Sequence, residues 1–137
     1  MRTSRLLQKG KRPFRLGIYG GLGSHRYPLV GSGDTIASWP TLGWEVYMTI
    51  TSSNVATAWT HDLGGFVNCA DATCQKVSQT QRDPEQFLRW LQFGVFSPIF
   101  RTHCDHCELR PWLFSNFGEL APVYRLRNAL VPCKIRY

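Results

Sequence analysis

Short β-type segments alternate with amphipathic helical patterns along the chain, and this alternation restricts its possible folds most strongly. Three runs have strand character: residues 14–19, 55–59 and 96–100. A helical pattern follows each of them, and the last is expected around residues 123–130. Alternation of this kind is typical of βα units that share a parallel sheet. The sequence therefore predicts an α/β fold.

Two of the predicted helices have clear start signals. Ser38 is placed to cap the first helix, with Pro40 in its first turn. Asp83 opens the second with a capping box and Pro84. The predicted buried face of the first helix is Trp39, Leu42, Val46 and Ile50, and that of the second is Phe87, Trp90, Leu91 and Gly94.

The length of the chain limits how much of an α/β fold it can complete. A closed eight-stranded α/β barrel needs roughly 250 residues, and this chain has 137. Its 18% charged and 13% aromatic residues argue against intrinsic disorder. No apolar run is long enough for a transmembrane helix, so no membrane partner is expected.

The net charge of +7 is concentrated at the N-terminus. Residues 1–15 contain six basic residues and no acidic one, whereas residues 16–137 contain 10 basic and 9 acidic residues. We therefore predict a basic tail at residues 1–11 and a nearly neutral folded body at residues 12–137. A nucleic-acid partner is not expected, since that would call for a basic stripe on a domain face.

The five cysteines do not suggest the disulfide framework of a small secreted domain, because their number is odd. Cys104 and Cys107 could bind zinc together with Cys69 and Cys74, but the spacing is cramped. Free thiols in a loop are the favoured interpretation, and no metal site is predicted. Unpaired cysteines favour, weakly, an intracellular reducing compartment.

Polar residues stand where the predicted strands end. Asp34 lies after the first strand and a long loop, His61 and Asp62 end the second strand, and Arg101 and His103 end the third. Functional residues of parallel α/β folds sit just beyond the carboxyl ends of strands. We therefore expect these side chains to face a common site.

Carboxylates grouped with a histidine and aromatic rings suit sugar chemistry. Glycoside hydrolysis needs a carboxylic acid that protonates the leaving oxygen and a second carboxylate on the other side of the anomeric carbon. Asp34 and Asp62 are the candidates, although either could also be an ordinary turn residue.

Seven segments together resemble glycoside hydrolase family 31, the family of retaining α-glucosidases and α-xylosidases. They are residues 20–28 (GGLGSHRYP), 32–35 (SGDT), 59–66 (WTHDLGGF), 89–94 (RWLQFG), 97–103 (SPIFRTH), 110–112 (RPW) and 127–132 (RNALVP). The resemblance covers roughly residues 12–132. It implies a partial (β/α)8 TIM barrel, approximately strands five to eight with their helices, acting on an α-linked oligosaccharide or glycoside without a cofactor.

The resemblance also implies roles for individual residues. Asp34 matches the general acid/base of the family. Asp62 and His103 match residues that hydrogen-bond the hydroxyls of the bound sugar. Phe66 matches part of the wall of this sugar subsite, and Arg101 matches a residue that organises the charges of the subsite.

The family nucleophile is an Asp in a Trp-x-Asp-Met-Asn type segment, and the 137 residues contain no such segment. We therefore expect the chain by itself to be inactive, as a fragment whose missing segment would lie before Met1. The alternative is a degenerate half-barrel that binds sugar or another protein without catalysis. Unpaired sheet edges of a half-barrel also predict self-association or poor solubility.

Overall fold

The computed structural model describes residues 16–17, 29–51, 59–68, 82–105 and 109–134. Among these residues the structure has three strands, β1 (Leu16–Gly17), β2 (Leu29–Gly31) and β3 (Trp59–Thr60). The same residues include three α-helices: α1 (Trp39–Thr51), α2 (Pro84–Phe96) and α3 (Phe117–Lys134). A 3₁₀ turn, Pro111–Leu113, precedes α3.

The strands form a parallel sheet in chain order, β1-β2-β3. Val30 of β2 pairs with Trp59 of β3, and a parallel bridge from Thr60 to Ile99 extends the pairing beyond α2. Parallel strands in sequential order, with helices in the connections, are the pattern of a (β/α) barrel wall. The α/β prediction is confirmed.

Helix α2 forms the centre of the hydrophobic core. The Asp83 side chain accepts a hydrogen bond from the Glu85 amide (2.9 Å), and Pro84 fills the first turn, as the sequence predicts. The predicted buried face, Phe87, Trp90, Leu91 and Gly94, is also confirmed. The face is buried because α2 packs on Leu63, on Phe114 after the 3₁₀ turn and on Leu120 of α3.

The predicted face of α1 is confirmed only in part, because Leu42 is buried and Val46 packs against the core. The cap is as expected, since the Ser38 hydroxyl accepts from the Thr41 amide at 3.2 Å. Trp39 and Ile50, however, are 48% and 70% exposed. The residues that α1 buries are Leu42 and Glu45. The reason is that α1 is apolar on most of its surface, so apolar spacing alone does not identify the side that faces the sheet.

Two strand predictions also need correction. Strand β2, which leads to Asp34, was not predicted, because three residues are too few to show alternation. The predicted strand at residues 96–100 is reduced to the bridge at Ile99, because α2 continues to Phe96. Within the first predicted strand, residues 16–17 form β1. Residues 14–15 and 18–19 of that strand, and residues 55–58 of the second, lie outside the described residues.

Helix α3 fixes the turn that follows α2. It begins earlier and ends later than the predicted residues 123–130. The buried guanidinium of Arg127 donates to the carbonyls of Val95 (2.9 Å), Ser97 (3.1 Å) and Pro98 (3.3 Å). A cation at this position satisfies the free carbonyls of the α2 C-terminus and interacts favourably with the helix dipole.

Several other predictions concern residues whose surroundings the structure does not describe. The basic tail, Cys69, Cys74 and Cys107 lie outside the described residues. No described helix is long and apolar enough to cross a membrane. The outer face of α1 exposes Trp44 and Tyr47, by 49% and 66%. This apolar surface is compatible with self-association, which stays a prediction.

The close approach of α2 to Leu63 predicts opposite effects for two Gly→Ala substitutions. A Cβ at Gly94 would lie 2.3 Å from Leu63 Cδ1, and Leu63 is fully buried. We expect Gly94→Ala to lower the free energy of unfolding by about 1–3 kcal/mol.

Gly43→Ala in α1 is the matched control, because a Cβ there meets nothing within 4 Å. We expect it to raise the free energy of unfolding by about 1 kcal/mol through helix propensity. Urea unfolding measures both variants. Equal effects of the two substitutions would contradict the packing of α2 on Leu63.

Candidate active site

The loops that leave the parallel strands are joined to one another by backbone hydrogen bonds. The Thr35 carbonyl accepts from the amides of Phe66 (2.8 Å) and Val67 (3.0 Å). The Ala37 amide donates to the Val67 carbonyl at 2.7 Å. The loop that contains Asp34 therefore runs alongside the loop that contains Asp62.

A second set of bonds joins the Asp62 loop to the next one. The Leu63 amide donates to the Arg101 carbonyl (3.0 Å), and the Asp105 amide donates to the Phe66 carbonyl (2.9 Å). A parallel bridge also pairs Leu63 with Thr102. Three consecutive loops thus meet at the carboxyl edge of the sheet, the edge at which parallel α/β folds place their sites.

A two-glycine turn determines where Phe66 lies. Gly64 and Gly65 have φ angles of 98° and 77°, which side chains other than glycine rarely adopt. A Cβ at Gly65 would also lie 2.5 Å from the Ala37 Cα. The buried Arg82 guanidinium donates to the carbonyls of both glycines. Since burial lowers the pKa of Arg82 only to about 10, it remains a cation that fixes this turn.

Asp62 is the buried carboxylate of the site. Its side chain is 5% exposed and pairs with Arg101, whose side chain is 36% exposed. Burial raises the pKa of Asp62 above its ordinary value, and the charges of Arg101 and His103 oppose that rise. The negative charge of Asp34 acts in the same direction as burial. The predicted site residues are therefore close enough to interact electrostatically.

The remaining predicted residues form the more open side of the site. The rings of Phe66 and His103 lie 5.2 Å apart between centroids, at an interplanar angle of 44°. Phe66 is half-buried, whereas Asp34 and His103 are exposed. In such an arrangement the apolar ring can stack on one face of a sugar. The charged donors and acceptors beside it can form hydrogen bonds with the sugar hydroxyls.

A fully buried glutamate, Glu45, lies behind these loops, and no sequence signal identified it. Its Oε1 accepts from the hydroxyls of Thr35 (2.9 Å) and Ser32 (3.3 Å), and its Oε2 accepts from the Trp90 indole N–H (2.9 Å). Burial raises the pKa of Glu45 to about 7. The carboxyl therefore carries a proton over much of the pH range below neutrality.

The ring of His61 lies beside Glu45 and is also fully buried. The Thr49 hydroxyl donates its one hydrogen to the Glu45 carbonyl (2.7 Å), so it accepts from His61 Nε2, also at 2.7 Å. This tautomer leaves a lone pair on His61 Nδ1, 3.6 Å from Glu45 Oε2. Burial lowers the pKa of His61 to about 4. We therefore describe the two groups as a neutral pair and not as a salt bridge.

The cysteine next to the site is not a free thiol. Cys104 takes part in a disulfide bond, which withdraws its sulfur from the zinc set considered from the sequence. It also removes part of the reason for favouring a reducing compartment. The described residues contain no group of three or more His, Cys, Asp or Glu side chains that could hold a metal ion.

Comparison with known proteins identifies one family. Residues 1–135 match the family model described as the glycosyl hydrolases family 31 TIM-barrel domain. The chain is 33% identical to a probable glucan 1,3-alpha-glucosidase from Oryza sativa subsp. japonica, covering 93% of this chain and 13% of that protein. It is 32% identical to an alpha-xylosidase from Saccharolobus solfataricus, covering 80% of this chain and 15% of that protein.

A solved structure agrees with the sequence comparison. The xylosidase from Aspergillus niger superimposes with a TM-score of 0.68 at 26% identity, covering 91% of this chain and 20% of that chain. The chain spans only 13% and 15% of the two curated relatives. The comparison thus concerns a part of each of those proteins.

The Asp62–Arg101 pair predicts a measurable change in acidity. Because Arg101 opposes the effect of burial, Arg101→Gln should raise the pKa of Asp62 further. A ¹³C NMR titration of the Asp62 carboxyl measures it. Arg125→Gln, at an exposed arginine of α3, is the matched control. An equal shift in the control would contradict the specific pairing.

The neutral pair predicts a pH-dependent effect of Glu45→Gln. Folding raises the pKa of Glu45 from 4.5 to about 7, so burial of this group costs more free energy as the pH rises through that interval. Glutamine carries no such cost. The stability of the variant relative to the native chain should therefore increase by about 3 kcal/mol between pH 4 and pH 7.

His61 changes the free energy of unfolding with pH in the opposite direction, because folding lowers its pKa from 6.5 to about 4. It is present in both proteins, so its contribution largely cancels in the difference. Urea unfolding at several pH values provides the measurement. Glu119→Gln, at an exposed glutamate of α3, is the matched control. A flat difference for Glu45→Gln would show that this carboxyl ionises normally.

Proposed function

Because the chain belongs to family 31 of the glycosyl hydrolases, we propose that it forms part of a retaining α-glycosidase that hydrolyses O-glycosidic bonds, with Asp34 as its general acid/base. The fold agrees at a coarser level, since the chain is part of the TIM-barrel domain of that family. The assignment of its strands as the fifth to eighth of the barrel belongs to the proposal.

One observation carries the proposal. Backbone hydrogen bonds bring the loops of Asp34, Asp62 and Arg101 side by side at the carboxyl edge of the sheet. The charges of Asp34, Arg101 and His103 all act on the pKa of Asp62. Asp34 is exposed, which suits a role in proton transfer. Asp62 is buried and paired with Arg101, which suits a role in substrate binding.

In the proposed reaction, Asp34 protonates the leaving glycosidic oxygen and later takes a proton from the attacking water. Asp62, kept charged by Arg101, accepts hydrogen bonds from sugar hydroxyls. His103 donates to a hydroxyl, and the ring of Phe66 packs on the sugar. These roles follow the resemblance residue by residue, and the proximity of the side chains supports them.

The nucleophile is the part that these residues do not supply. The Trp-x-Asp-Met-Asn type segment that holds it in the family does not occur in the printed sequence. Without it no covalent glycosyl-enzyme forms, so the proposal assigns binding and proton transfer to this chain and nucleophilic attack to another segment.

This division of roles gives a test with two arms. The purified chain should not release the chromophore from a 4-nitrophenyl α-glucoside, because nothing in it attacks the anomeric carbon. Addition of methyl α-glucoside should nevertheless shift the NMR signals of Phe66 and His103 in a saturable manner. Asp62→Asn should weaken this binding by about tenfold, the cost of a charged hydrogen bond to a hydroxyl.

Asp83→Asn is the matched control, because asparagine also caps α2 and the Asp83 side chain accepts from the Glu85 amide of its own helix. It should leave sugar binding unchanged. Chromophore release that Asp34→Asn abolishes and Asp83→Asn does not would show that the chain is active by itself. Absence of any binding would contradict the assignment of the sugar site.

A further inference from the structure

We propose that Glu45 is the positioning residue that holds the Asp34 loop to the helical layer of the barrel. The inference deepens the proposed function, and it rests on the role of Asp34 as the general acid/base. Glu45 does not reach the sugar in this proposal, because it is fully buried. It acts through the loop that carries Asp34.

The hydrogen bonds of Glu45 enclose Asp34 along the chain. Ser32 lies two residues before Asp34 and Thr35 directly after it, and both hydroxyls donate to the same carboxyl oxygen, Glu45 Oε1. Asp34 itself is exposed, so burial of its own side chain does not order the loop. One hydrogen bond on each side of Asp34, from Ser32 and from Thr35, instead fixes the backbone that carries it.

The other carboxyl oxygen is anchored in the core. Glu45 Oε2 accepts from the Trp90 indole N–H at 2.9 Å, and Trp90 is completely buried on α2. The contact joins residues 45 positions apart in the chain. The loop of Asp34 is thereby connected, through one side chain, to the helix at the centre of the hydrophobic core.

The hydrogen bonds of Glu45 are compatible with its protonated form. Oε1 accepts two hydroxyl hydrogens and Oε2 accepts the indole hydrogen. His61 Nδ1 lies 3.6 Å from Oε2, too far for a hydrogen bond, and has no hydrogen-bond partner among the described residues. The charged groups that act on this pair are Asp62, which disfavours the carboxylate of Glu45, and Arg101, which disfavours the imidazolium of His61. Both favour the neutral forms.

The test is amide hydrogen exchange of the 137-residue chain, with Glu45→Met as the first variant. Methionine keeps the length of the side chain and removes all of its hydrogen bonds. Exchange of the Thr35 and Ala37 amides should accelerate about tenfold, the loss expected for one to two net hydrogen bonds. Amides in the middle of α2 should keep their protection, which shows that the variant is folded.

Glu45→Gln should restore most of this protection, because its amide can accept from Trp90 while it donates to the two hydroxyls. A residue that only fills space would give no such rescue.

Ser32→Ala/Thr35→Val provides a second route that leaves the core unchanged, should Glu45→Met not fold. It removes only the two hydroxyl donors, so it should loosen the same loop. Glu119→Met, at an exposed position of α3, is the control and should leave the exchange of the loop amides unchanged. Unchanged exchange of the Ala37 amide in the double variant would overturn the proposal.

The outcome is independent of the proposed function. Exchange reports the order of the loop, whereas the α-glucoside experiment reports what Asp34 and Asp62 do. A loosened loop in a chain that binds no sugar would leave Glu45 as a positioning residue of a different site. A rigid loop in a chain that binds sugar would remove only the present inference.

Discussion

The hydrogen bonds between consecutive strand-exit loops are the interaction on which this site depends. The strands themselves are two or three residues long, so the hydrogen bonds between them do little to fix their register. Pairing continues beyond them, from Ile36 to Val67 and from Leu63 to Thr102. A slip of one residue would turn Asp62 from the site to the opposite face of the sheet. The loop pairing therefore determines which side chains meet.

The sequence predicted α2 well and α1 poorly, for one physical reason. Helix α2 has polar residues on the side away from the core, so its apolar positions, including Trp90, identify the buried face. Helix α1 has apolar residues on most sides and buries the charged Glu45 toward the sheet. A pattern of apolar spacing cannot show that the inward residue of a helix is a glutamate.

The same limit of local sequence pattern explains which residues of the candidate site the sequence identifies and which it does not. Asp34 and Asp62 lie in short segments that resemble the family, so they could be found locally. Glu45, Arg82 and Arg127 act on partners that are distant in the chain, at separations of 45, 18 and 32 residues. Each is a buried polar group whose role is to fix a backbone turn or a loop. Only the folded structure shows what surrounds such a residue.

Burial of Glu45 and His61 as neutral groups explains how a polar link can cross the core at low cost. A buried ion pair must recover the hydration energy of two charges, and it often fails to do so. Here the pKa of Glu45 rises to about 7 and that of His61 falls to about 4, so near neutral pH no full pair of charges has to be desolvated. What remains is a set of directional hydrogen bonds, which are strong in a low-dielectric interior. Such bonds specify geometry, and a defined geometry of the Asp34 loop is what the proposed acid/base role of Asp34 requires.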